Sequence, residues 1–153
     1  MKTIYPFSPI KNEKDLNKAL EYITSELEKL SLEIFQEKLP ITTLKIFPHY
    51  FDEYDYLYDL ISKKGPREPF SSETSLYIKV QEKILNYNIN YLGVRIVDPY
   101  RLQVGCGDYE IDNFQEFKNK WKDKSPFIRN FKEDMIEIWH PDFDVLGYVI
   151  PKL

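Results

Sequence analysis

Four short stretches of the 153-residue chain carry side chains suited to chemistry. Cys106 stands between Gly105 and Gly107, a flexible and accessible setting in which a thiolate would act as a nucleophile if a base lay beside it. No sequence neighbour supplies that base, and a lone cysteine is more often a small buried apolar group. His49 and His140 each adjoin a proline at the end of an expected strand, and Asp142 follows His140 by two places. A histidine and a carboxylate so spaced suit acid–base work or metal ligation, although turn capping is the more ordinary use of such a pair. Lys118, Lys120, Lys122 and Lys124 form the one basic run, and Glu116 and Asp123 dilute it, as on a solvated helix face.

The scaffold around these residues is bounded by composition. With 42% hydrophobic and 30% charged residues the chain has an ordinary globular balance, and its length fits one domain, residues 1–153, with a proper core. A single cysteine rules out an internal disulfide and a CxxC site. The net charge of -4 argues against a nucleic-acid partner, which calls for a basic face. No apolar run approaches the roughly 18–20 residues that span a bilayer, and the N-terminus lacks the pattern of a signal peptide, so no membrane partner and a cytoplasmic location are expected. Aromatic residues reach 16%, with 12 Tyr and 10 Phe. Some of these rings, Tyr109 among them, are expected to line a cavity or an interface; a genome-wide compositional bias is the other source of such richness.

Periodicity then divides the chain. Over residues 12–39, Leu16, Ala19, Leu20, Ile23, Leu27, Leu30 and Ile34 make one apolar stripe of a helix, with Asn12 as N-cap, Asp15 in the first turn and Pro40 as the stop. A first module, 41–99, opens with a strand from Ile41 to Phe47. A helix capped by Asp52 follows, with Tyr54, Leu57, Tyr58 and Ile61 as its buried stripe. After a polar loop come strands at Ser75 to Val80, Ile84 to Asn88 and Ile89 to Val97. A second module, 102–150, repeats the order. Its strand runs from Leu102 to Ile111, and its helix is capped by Asp112 with Gln115 at capping-box spacing. Strands at Phe127 to Phe131, Met135 to Trp139 and Val145 to Ile150 complete it. The expected fold class is α+β: an N-terminal helix and two tandem β-α-β-β-β modules.

That tandem arrangement resembles the glyoxalase, bleomycin-resistance and extradiol-dioxygenase superfamily, also called vicinal oxygen chelate. Within it, Ser75-Leu76-Tyr77-Ile78-Lys79-Val80-Gln81-Glu82, the strand ending in Asp98-Pro99, and Met135-Ile136-Glu137-Ile138-Trp139-His140-Pro141 are similar to the uncharacterised YecM-like proteins. The resemblance implies a curved mixed sheet around a cleft, with metal ligands on the first and last strands of each module. Carried onto this chain, those places fall on Thr43, Arg95, Asp108 and Glu137, to within a residue or two of register. Arg95 cannot ligate a metal, because a guanidinium carries only donors, and Thr43 is a poor ligand. Asp108 and Glu137 remain as the metal or catalytic pair, so the resemblance implies either no cofactor or a weakly bound divalent metal.

The expected function follows from this departure. A degenerate metal site with an intact cleft favours a protein that binds an anionic or aromatic small molecule, with Arg95, Thr43, His140 and Tyr109 as binding residues. A divergent metal-dependent lyase, isomerase or oxygenase with Glu137 and Asp108 as catalytic residues is the alternative, and a protein-interaction module is a third class. Residual edge strands leave homodimerisation open.

Overall fold

The first helix forms where the apolar stripe predicts it. The computed structural model describes residues 7–152, apart from the side chains of Asn130 and Phe131. Helix α1 spans Glu13–Phe35; the Asn12 side chain accepts a hydrogen bond from the Asp15 N–H at 2.9 Å, and Gln36 ends the helix in the left-handed region at φ 62°. Leu16, Leu20, Ile23, Leu27 and Leu30 are buried along one side. Each contributes about 1.5–3 kcal/mol relative to an exposed side chain.

Strand β1, Ile41–Ile46, leads into α2, Phe51–Ser62, then β2, Ser75–Ile84, and β3, Tyr87–Arg95. The second module comprises β4, Gly105–Ile111; α3, Phe114–Trp121; β5, Ile128–Lys132; β6, Met135–Ile138; and β7, Val145–Pro151. All seven strands form one mixed sheet in the order β2-β3-β1-β4-β7-β6-β5. The two modules meet at the antiparallel pair β1/β4, and each module's last strand returns parallel to its first, β3 on β1 and β7 on β4.

The fold is the expected α+β arrangement, with a shorter first module. The strand expected at 75–80 runs on to Ile84 as β2, with a register shift between Lys79 and Glu82, and the separate strand expected at 84–88 is not formed. Leu85 and Asn86, at φ 48° and 74°, then make the tight turn into β3. The place of the missing strand is taken by residues 66–68, held beside β2 by the Arg67–Ile78 bridge and by hydrogen bonds from the Lys79 N–H to the Pro66 carbonyl at 3.0 Å and from the Glu68 N–H to the Tyr77 carbonyl at 2.8 Å. Pro66 and Pro69 lack the N–H groups a ladder needs, which limits pairing here to these contacts.

The helix caps also differ from expectation. Tyr50, not Asp52, is the N-cap of α2, and Asn113, not Asp112, that of α3; neither makes a side-chain cap bond. In α2 the buried positions are Glu53, Leu57 and Ile61, while Tyr58 is exposed. The Glu53 carboxylate accepts the backbone N–H groups of Ile10 at 2.7 Å and of His49 at 2.8 Å, tying the start of α2 to the segment before α1.

All three helices share one face of the sheet. Leu57 and Ile61 of α2 join the α1 stripe and strand residues such as Leu44, Leu92 and Val149 in one core, and Phe117 and Trp121 of α3 pack edge-on to Phe35 of α1. Glycines make the close approach of α1 possible. A methyl group at Gly105 would lie 2.5 Å from Ile23 Cδ1, and one at Gly107 would run into Leu27 Cδ1 and stand 2.7 Å from the Thr43 carbonyl oxygen. The Gly-Cys-Gly stretch is thus a packing device, which corrects the expectation of a flexible, accessible cysteine. Among the described residues no helix covers the other face, and no helix is long and apolar enough to cross a membrane.

Gly107→Ala is expected to destabilise the protein by about 1–3 kcal/mol through overpacking against α1. An unchanged midpoint in guanidinium unfolding would contradict this packing.

Candidate functional site

Strand alternation assigns the side chains of the helix-free face. Pairing runs unbroken across the sheet from Lys79 on β2 to Tyr91, Thr43, Asp108, Tyr148, Glu137 and Arg129, one residue from each strand. The row reflects the duplication: Thr43 and Asp108 face each other across the module boundary, and Tyr91 and Tyr148 flank them as equivalent residues of β3 and β7. The neighbouring row pairs Tyr77, Gly93, Lys45, Cys106 and Leu146. A methyl group on Gly93 would stand 2.9 Å from the Tyr77 ring, so this glycine makes room for the tyrosine to lie across β3.

Three cations converge beside these rows. The Lys45 Nζ lies 5.9 Å, the Arg95 guanidinium 5.9 Å and the Arg101 guanidinium 4.5 Å from the centre of the Phe47 ring. Lys45 Nζ also stands 5.1 Å from the Tyr77 ring and 3.3 Å from Ser75 Oγ. Phe47 itself is 3% exposed and packs with Cys106, Leu146, Trp139 and Tyr148. Among the described residues none of the three cations makes an ion pair within 4 Å. Arg101 Nε and Trp139 Nε1 are buried donors with no hydrogen-bond acceptor among the described residues. A buried donor left unsatisfied costs about 1–3 kcal/mol, so Arg101 Nε over the Phe47 ring and Trp139 Nε1 beside the same apolar cluster each call for an acceptor that the described residues do not provide.

Burial tunes the titratable groups of this face. Asp108 is pushed up to about 7, chiefly by desolvation, with Lys45 pulling the other way and Glu110 adding to the rise. Desolvation likewise pushes the Cys106 thiol up to about 12, which leaves it protonated and unreactive near neutral pH and ends the nucleophile reading. Tyr77 and Tyr148 are raised for the same reason and stay neutral hydroxyls.

The sequence-derived residues separate into two groups. Thr43, Arg95, Asp108 and Glu137 all belong to the helix-free face, but they do not form a ligand shell. Glu137 is on β6, not on the last strand of its module, where Tyr148 holds the corresponding place, and its carboxylate is ion-paired with Arg129. Arg95 turns to Phe47 and pairs with neither Asp108 nor Glu137. The donors therefore do not fit a metal: Asp108 remains alone, and the described residues contain no group of three His, Cys, Asp or Glu side chains placed to hold one.

Tyr109 and His140 leave the set. Tyr109 is fully buried on the helix side, where its hydroxyl donates to the Leu27 carbonyl. His140 also lies toward α1, with Nε2 3.9 Å from Glu33 and its ring 4.5 Å from that of Phe127. Its Nδ1 accepts the Asp142 N–H at 3.1 Å, which is the turn-capping use. His49 reaches the Arg101 carbonyl with Nε2 at 2.9 Å. Lys45, Phe47, Tyr77 and Tyr148 were missed in sequence, although period-two alternation from Thr43 gives Lys45 and Phe47 directly.

The raised Asp108 pKa carries a sign. Since the unfolded carboxyl titrates near its ordinary value of about 3.9 and the folded one near 7, stability falls as pH rises through that window and the loss is complete above it. Asp108→Asn removes the effect. The variant is expected to gain about 1–3 kcal/mol on the wild type between pH 4 and pH 8 in denaturant unfolding, and parallel pH profiles would contradict a buried, raised carboxyl.

No protein-family model and no curated protein matches the sequence. Among solved structures, a structural-genomics structure described as protein EC4020 is similar at a TM-score of 0.65 and 9% identity, covering 99% of this chain and 93% of its own. A glyoxalase/bleomycin resistance protein/dioxygenase superfamily member from Vibrio splendidus 12B01 overlaps 76% of this chain and 100% of its own at 8% identity and a TM-score of 0.39, too slight to carry an argument. The chain shares its fold, over nearly its whole length, with the EC4020 protein.

Proposed function

We propose that the protein binds a small anionic molecule on the helix-free face of its sheet and does so without a metal. The observation that carries this reading is the gathering of Lys45, Arg95 and Arg101 on the Phe47 ring with no carboxylate within ion-pairing distance among the described residues. Like charges so placed repel one another, and a half-buried cation without a partner is costly. An anion relieves both terms. It would also accept from the orphaned donors Arg101 Nε and Trp139 Nε1. Arg95 and Arg101 offer planar forks that match a carboxylate or phosphate, and Lys45 adds a point charge between them and Asp108.

Where the superfamily resemblance expects one of the metal ligands this chain has Arg95, and a degenerate metal site is the reading consistent with Asp108 alone among the donors. Asp108 has a different use here. Protonated at or below neutral pH, it donates a hydrogen bond toward an anion; ionised at higher pH, it opposes one.

Inorganic phosphate and acetate are the first probes, followed by amide chemical shifts in nuclear magnetic resonance. Saturable shifts are expected around Lys45, Phe47 and Arg101. Arg101→Ala should weaken binding tenfold or more, the order expected for charge-assisted hydrogen bonds of about 1.5–3 kcal/mol. Linear, unsaturable shifts spread over the surface would overturn the proposal.

A further inference from the structure

The loop between β3 and β4 presents the cation and hydrophobic groups together. The Asp98 N–H donates to the Pro48 carbonyl at 3.2 Å, and the Asp98 side chain and carbonyl accept the N–H groups of Tyr100 at 3.0 Å and Arg101 at 3.3 Å. His49 Nε2 at the Arg101 carbonyl fastens the loop to the end of β1. So held, the loop turns Arg101 inward over Phe47, while its neighbours Tyr100 and Leu102 are 91% and 69% exposed. Phe51, two residues beyond His49, is 73% exposed. Large apolar side chains left without cover beside such a loop mark a contact surface.

We infer that the ligand is an amphiphilic anion, a carboxylate on an alkyl or aryl body, whose head meets Arg101, Arg95 and Lys45 and whose body lies along Tyr100, Leu102 and Phe51. The inference rests on the anion reading above and extends it to the rim. A bare inorganic anion would leave the rim in water. A flat protein surface resting on the exposed Tyr100 and Phe51 would not reach Arg101 Nε, which is buried. A slender ligand with one charged end reaches both. The charge complementarity is local, set by three cations in a chain whose net charge is -4.

The test is calorimetric titration of the full chain with acetate, butanoate, hexanoate and octanoate, each below its micellar concentration. Affinity is expected to rise about three- to fourfold for each added methylene while the chain lies on the rim. The double variant Tyr100→Ser, Leu102→Ser should weaken octanoate binding at least tenfold more than acetate binding; both positions are exposed, and circular dichroism checks that the variant folds. Equal affinity along the series, with saturable acetate binding that Arg101→Ala still weakens, would overturn the amphiphile while the anion site stands. Absence of binding by any carboxylate, with Arg101→Ala without effect, would remove both. A dimer in sedimentation velocity that the double variant converts to monomer would make the rim a self-association surface and overturn the inference.

Discussion

The structure depends on how closely α1 can lie on the centre of the sheet. Gly105 and Gly107 on β4 and Gly147 on β7 remove the side chains that would otherwise stand between strand and helix, and Ile23, Leu27 and Tyr109 fill the space. One helix of 23 residues then seals the boundary between the modules, with α2 and α3 beside it. Because the hydrophobic core is completed on that side, alternate residues of every strand are released from packing duty. A sheet with one face sealed and one face free of helices can carry charges and hydroxyls at the middle of its strands, where a sheet covered on both faces would need apolar ones.

What the free face carries is shaped by the low exposure of its floor. Phe47, Cys106 and Leu146 form a small apolar cluster on that side, and the cations stand over its ring. Cation–π contact offsets part of the mutual repulsion, about 0.5–2 kcal/mol for each well-placed pair, and desolvation holds Asp108 near neutrality instead of letting it pair outright with Lys45. The same burial that makes the thiol of Cys106 inert strengthens the field of the arginines.

Much of this was legible in the sequence where one local rule decided the outcome. The α1 stripe with its Asn12 cap, the α+β class and most strands follow from periodicity. The count of strands in the first module did not, because the segment read as a strand over 84–88 holds the Leu85–Asn86 turn and the start of β3, while proline disguises residues 66–68 as loop. Thr43, Asp108 and Arg95 were singled out through the superfamily resemblance, and they lie on the helix-free face. Glu137 was one strand away from the place assigned to it, and Tyr109 was on the wrong face, since a shift of one residue exchanges core for cleft. Arg101 had no signal at all: it belongs to a loop, and only the hydrogen bond from His49 and the ring of Phe47 bring it to the sheet.

The central claim is that Lys45, Arg95 and Arg101 serve a ligand and are a burden to the free protein. The direct measurement is the unfolding free energy of the ligand-free chain and of the double variant Lys45→Met, Arg101→Leu, across sodium chloride concentrations at pH 5.5, where Asp108 is protonated in the folded state. The account predicts that the variant is at least as stable as the wild type, and that added salt stabilises the wild type more, by screening repulsion the variant lacks. A variant less stable by about 3 kcal/mol or more, as when a buried ion pair is broken, with the same response to salt, would contradict it.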